Sequence, residues 1–177
     1  MREKYLLELG GENIELGKYE ALELFKFKKY SPKLEKDYGK IIIISTSKKI
    51  EKTIINRLSM TKRISNIIFA SSKNNVQYIL NDLEKINIGD KSFAIRQIGQ
   101  NDLNSEKTAI LIGEKISKKN KTELDNPQIT VLFYQNNGFF ISLCNKNWDT
   151  GYKKCLRHHI SHRPYFSPIG IHPRIAR

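Results

Sequence analysis

The chain has 177 residues, 39% of them hydrophobic, with 31 Lys and Arg against 18 Asp and Glu, a formal net charge of +13. That length holds one ordinary domain or two small ones, and the longest apolar run, Ile41–Ile44, is strand-sized, far short of the roughly 20 apolar residues of a membrane-spanning helix. Met1-Arg2-Glu3-Lys4 runs into a strand-like segment without the apolar core of a secretion signal, and two cysteines make no disulfide framework, so a reduced, cytoplasmic setting is expected.

Tyr5 to Leu9 alternates as a strand and ends at Gly10-Gly11. Leu16 to Phe27 is predicted helical, with Leu16, Tyr19, Leu22 (with Ala21) and Phe25 as its apolar stripe. Tyr30 to Leu34 contains Pro32 and is at best an edge strand. Ile41–Ile44 is a β-branched, buried strand. Lys49 to Leu58 sets Ile50, Ile54 and Leu58 on one helical face, with Ser47 as N-cap, and Ile64 to Phe69 is a further strand. The order strand, helix, edge strand, strand, helix, strand over residues 1–70 predicts a ferredoxin-like βαββαβ domain.

A second unit is expected over residues 71–145. Val76, Ile79, Leu80, Leu83 and Ile86 mark a helix that begins near Asn74 and stops before Gly89. Ser92 to Ile98 is a strand. Glu106 to Ile116 is a helix with Ser105 as N-cap and an inner stripe of Ala109, Ile112, Gly113 and Ile116; the glycine would permit close backbone approach. Strands at Ile129–Tyr134 and Phe139–Cys144 flank Asn136-Asn137-Gly138, a strong hairpin signal. Residues 146–177 carry three prolines between Pro164 and Pro173, no periodicity and much charge, and read as a basic connector. Pro173 suits the first position of a helix that Arg174-Ile175-Ala176-Arg177 would only begin, so the chain reads as the front part of a longer protein.

The charge is unevenly spread. Cations outnumber acids by 15 to 9 over residues 1–70, by 9 to 8 over 71–145, and by 7 to 1 over 146–177. A lysine-rich coding bias explains lysine in place of arginine but not the near absence of acids from the last segment. The imbalance favours a polyanionic partner. The candidate phosphate-binding residues are Arg96, Lys107, Lys115, Lys118, Lys119 and Lys121, with Lys153, Lys154, Arg157 and Arg163 in the tail. Lys115, Lys118, Lys119 and Lys121 lie at or beyond the C-terminal end of a helix, where complementing the helix dipole is an equal alternative. Arg96 is the sharper candidate, because an arginine among apolar strand neighbours should meet a binding surface or an acid. Trp148, Tyr152, Tyr165 and Phe166 could stack on unpaired bases, although packing is the simpler role for most of them. Cys155, His158, His159 and His162 are close in sequence, but Lys153, Lys154, Arg157 and Arg163 among them would repel a metal, so no metal site and no catalytic residue is assigned.

Phe93-Ala94-Ile95-Arg96, Gly113, Asp125-Asn126-Pro127 and the Asn136-Asn137-Gly138 hairpin, in that order, resemble the THUMP domain, an RNA-binding module of several tRNA-modifying enzymes. Tyr5-Leu6-Leu7-Glu8-Leu9-Gly10-Gly11-Glu12 is similar to the opening of archaeal tRNA (guanine-N2) methyltransferases that modify guanine 10, and Arg163-Pro164-Tyr165-Phe166 with Pro168, Pro173 and Ile175-Ala176-Arg177 resembles the approach to their methyltransferase domain. The resemblance implies an α+β chain: a ferredoxin-like domain, a THUMP domain of helices on a small sheet, and a connector. It implies tRNA as partner, held by its acceptor end while a following domain supplied with S-adenosylmethionine methylates a guanine. That domain's Asp/Asn-Pro-Pro-Tyr motif is missing here, so these residues are expected to hold no cofactor and to be inactive alone. A separate catalytic subunit is one arrangement. The alternatives are the THUMP module of a 4-thiouridine synthase, pseudouridine synthase or deaminase, or a stand-alone RNA-binding adaptor.

Overall fold

The computed structural model describes residues 2–10, 13–72, 88–99, 105–117, 120–136, 138–146, 148 and 150–152. The chain divides into two compact units, residues 1–64 with those from Trp148 onward, and Ser65–Asn147. Both are mixed α/β.

The first unit contains β1 (Glu3–Leu9), α1 (Ile14–Phe27), β2 (Lys33–Asp37), β3 (Ile41–Thr46), α2 (Lys52–Ile55) and the start of β4 (Thr61–Ser71), with strand order β2-β3-β1-β4. β3 pairs antiparallel with both β1 and β2, and all six of its residues are buried. A central strand covered on both faces tolerates the unbroken isoleucine run. The edge falls to β2, which is displaced from the expected Tyr30–Leu34 because Tyr30 is buried in the core beside Phe25 instead of extending the sheet. The core joins Tyr5, Leu7, Leu9, Ile42 and Ile44 of the sheet to Ala21 and Phe25 of α1 and to Ile54, Ile55 and Leu58.

α1 begins earlier than expected. Asn13 is its N-cap, its side-chain oxygen accepting from the Leu16 N–H at 3.0 Å. Ala21 and Phe25 of the expected stripe are buried, but Tyr19 is 68% exposed and Leu16 39%, and Gly17 is buried in their place. Small residues at 17 and 21 let the helix lie close to the sheet, and the amphipathic tyrosine stays in water. α2 is far shorter than the predicted Lys49–Leu58, although Ile50, Ile54 and Leu58 are buried as expected. Ser47 does not cap it; its hydroxyl donates to the Tyr30 carbonyl at 2.9 Å. Glu20 fixes the turn after α2, its carboxylate accepting from the Ser59 and Met60 N–H groups at 2.7 and 2.9 Å.

The second unit contains the remainder of β4, β5 (Phe93–Gln97), α3 (Ser105–Ser117), β6 (Ile129–Asn136) and β7 (Gly138–Asn145), in strand order β4-β7-β6-β5. β5 runs parallel to β6; β6–β7 is the predicted hairpin, and β7 pairs antiparallel with β4. Gly138 has φ +144 at the turn, a conformation that side chains resist. Phe93, Val131, Phe133, Phe139 and Ile141 form one core with Ile112 and Ile116 of α3. Gly113 has its expected role, since a Cβ there would lie 3.3 Å from Ile95 Cδ1. Ser105 is the first helical residue and not the residue before it. The helix predicted between Asn74 and Gly89 lies almost wholly outside the described residues.

The described start of the tail is anchored to the first unit. The Trp148 ring lies 6.1 Å from that of Tyr5, and the Thr150 hydroxyl donates to the Lys62 carbonyl at 3.2 Å. Trp148 therefore packs against the first core and is not free to stack on a base. No helix among the described residues is long and apolar enough to cross a membrane.

Candidate nucleic-acid interface

The second unit builds a platform where β5 meets the loop after α3. The loop runs beside the strand: Phe93 N–H donates to the Lys121 carbonyl at 3.0 Å, and Glu123 N–H donates to the Phe93 carbonyl at 2.9 Å. Thr122 thus forms a parallel bridge to Phe93. Two amide side chains hold the loop ends. Asn120 Nδ2 donates to the carbonyls of Gly89 and Lys91, the latter at 3.2 Å. Ser92 N–H donates to Gln128 Oε1 at 3.1 Å, and Gln128 N–H to the Ser92 hydroxyl at 3.3 Å. Neither amide was singled out from the sequence. Their only signal is that they bracket a segment of polar residues and Pro127.

Arg96 is exposed and donates from Nη2 to the Leu124 carbonyl at 3.3 Å. That bond occupies one of its five N–H donors and leaves the others able to meet a phosphate. Strand alternation turns Arg96 away from the face on which Ile95 meets Gly113. The loop therefore brings Arg96 and Lys121 to the same edge, roughly 10 Å apart along the strand. It does not bring them to the outer side of α3.

Lys107 lies exposed in the first turn of α3 and Lys115 half-buried in its last, about 12 Å further along the axis. Lys115 already has an interaction partner, and its place suits the helix dipole. The two lysines do not converge. Lys118, Lys119, Lys153, Lys154, Arg157 and Arg163 lie outside the described residues, as do Cys155, His158, His159 and His162.

No protein-family model matches the sequence, and no curated protein matches it. The fold, however, is a known one. Over 80% of the chain it is similar to TrmN from Thermus thermophilus, with TM-score 0.57 and 12% identity, covering 45% of that protein. A possible methylase from Clostridium difficile 630 aligns with TM-score 0.56 and 14% identity over 81% of this chain and 41% of its own. A 4-thiouridine synthetase solved in complex with RNA and ATP aligns over the same shares with TM-score 0.50 and 11% identity. The chain thus spans less than half the length of each of these three structures.

Proposed function

We propose that the chain is an RNA-binding module that holds tRNA while a catalytic domain outside these residues modifies it. The observation that carries this reading is the platform of β5 and the loop from Asn120 to Gln128, hydrogen-bonded to one another, with Arg96 and Lys121 exposed along it. The net charge of +13 supports it, as does likeness of fold to a 4-thiouridine synthetase solved with RNA. The strand order β2-β3-β1-β4 favours a ferredoxin-like first domain, and the platform, Gly113 helix and hairpin favour a THUMP domain after it. Within that reading the enzyme is a tRNA (guanine-10-N2) methyltransferase of archaeal type, in which S-adenosylmethionine belongs to the further domain. Cations of this kind grip phosphates and duplex shape, and carry no base readout of their own.

The test is binding of tRNA by the chain across a salt series. Each neutralised phosphate releases counterions, so log K should fall linearly with log salt at a slope of about −0.9 per contact. An affinity that hardly changes between roughly 50 and 200 mM salt would sink the proposal.

A further inference from the structure

The first unit carries a pocket of about 350 Å³, lined by Lys28, Tyr30, Lys48, Glu51, Thr53, Ile54 and Arg57. Its cations arrive from three places in the chain: Lys28 closes α1, Lys48 follows β3, and Arg57 follows α2. Tyr30 is the hub. Its N–H donates to the Phe25 carbonyl at 2.9 Å, its carbonyl accepts from Ser47 N–H at 2.8 Å, and its hydroxyl oxygen accepts from Glu51 N–H at 3.3 Å. Lys48 Nζ lies 4.6 Å over its ring. Lys29 and Ser31, on either side, have φ of 58 and 45, the only non-glycine residues with positive φ among those described. At Lys29 that backbone is the left-handed ending of α1; at Ser31 it is uncommon outside glycine.

The ion pairs of the first unit use Lys18, Lys26, Lys33, Lys62 and Arg63; among the described residues none uses Lys28, Lys48 or Arg57. Glu51 is the only acid on the lining and makes no ion pair there. Three cations therefore converge against one carboxylate. Complementing a helix dipole accounts for Lys28 at the end of α1 but not for Lys48, which follows a strand. A bound anion would relieve the mutual repulsion.

We infer that this pocket binds a phosphate group, carried by the backbone of RNA. Arginine offers a fork for two phosphate oxygens and lysine a point charge. The volume falls at the lower end of ligand pockets, which run roughly from 300 to 1,000 Å³, and suits a single nucleotide. The inference rests on the RNA-binding reading above and adds to it a second contact, in the other unit.

The experiment is an amide chemical-shift titration of the chain with an RNA hairpin of acceptor-stem type and, separately, with inorganic phosphate and with AMP. It is run on the wild type and on Lys48→Gln/Arg57→Gln, whose exposed side chains leave folding unchanged by circular dichroism. RNA should shift the amides from Lys48 to Arg57. The double substitution should abolish those shifts, weaken RNA binding about five-fold, and lower the salt slope by about 1. Pocket shifts with phosphate or AMP but none anywhere with RNA would overturn the RNA source and the functional proposal, while upholding a phosphate site. Shifts around Arg96 with RNA, and none at the pocket with any of the three, would overturn the pocket alone.

Discussion

Arg96 and Leu124 are joined by a hydrogen bond of 3.3 Å from guanidinium to carbonyl, which ties a strand side chain to the loop beyond its own edge. The bond orients the guanidinium without neutralising it, since a carbonyl carries no net charge. Arg96→Gln should therefore weaken RNA binding about tenfold, the equivalent of about 1.5 kcal/mol for a lost charged hydrogen bond, and lower the salt slope by about 1. Because the side chain is exposed, the melting temperature should barely move. Fluorescence anisotropy at several salt concentrations checks the first expectation, calorimetry the second. Equal affinity in wild type and variant would remove Arg96 from the interface.

How much of this was legible in the sequence follows from which physical signal each residue obeys. The Ile41–Ile44 strand, the Gly113 contact and the Asn-Gly hairpin are local signals, and each has its expected place. On α1 the periodicity finds Ala21 and Phe25 but points to Tyr19 in place of Gly17, because a glycine carries no hydrophobic signal and the helix is seated there by closeness of approach. The span of α2 was overread because Ile50 and Leu58 are buried from turns flanking a single helical turn. The pocket around Tyr30 was invisible: Lys28, Lys48 and Arg57 meet only through tertiary folding, and nothing in their sequence spacing links them.

Lys18 on α1 and Asp37 at the end of β2 meet at 2.7 Å, and Lys18 also reaches Glu15 at 2.7 Å. The hydrogen bond from Lys18 holds the Asp37 carboxyl below its usual range, and the same bond, with that to Glu15, raises the Lys18 ammonium. A depressed carboxylate contributes stability that is present above the ordinary aspartate value of about 3.9 and lost as pH falls through its folded value. A raised ammonium contributes stability that is complete below the ordinary lysine value of about 10.4 and lost as pH climbs through its folded value. Lys18→Met should flatten both the acid and the alkaline limbs of a melting-temperature profile. Part of the acid limb should survive, because Glu35 is also held low, by the hydrogen bond from Ser45. A profile identical to wild type would show that the pair is too well solvated to matter.

The end of α1 carries a lysine where a glycine is usual. Lys29 N–H donates to the Lys26 carbonyl and Tyr30 N–H to the Phe25 carbonyl, both at 2.9 Å, with Lys29 at φ 58. That is a Schellman ending, whose left-handed position favours a residue without Cβ. Lys29→Gly should stabilise the chain by about 0.5–1 kcal/mol, the steric relief being partly offset by the greater freedom of glycine in the unfolded state. For a chain of this size that is a rise of roughly 1–4 °C in melting temperature. A fall instead would mean that the Lys29 side chain contributes more than its backbone costs.

Gly151 lies where no side chain fits. A Cβ there would come within 2.9 Å of the Asn56 carbonyl oxygen and 3.2 Å of that of Leu58, backbone atoms that cannot swing aside as a flexible side chain would. The same stretch holds Thr150 on the Lys62 carbonyl and Trp148 against Tyr5. Gly151→Ala should therefore cost about 1–3 kcal/mol, as overpacking does, and should loosen the neighbouring residues from the first unit. Trp148 is the only tryptophan in the chain and reports this directly. Its emission should shift to the red and its quenching by iodide should rise, in step with a lower melting temperature. If the variant melts as the wild type does and Trp148 is equally open to iodide in both, Trp148, Thr150 and Gly151 are not seated against the turn after α2, and the start of the tail is a free connector after all.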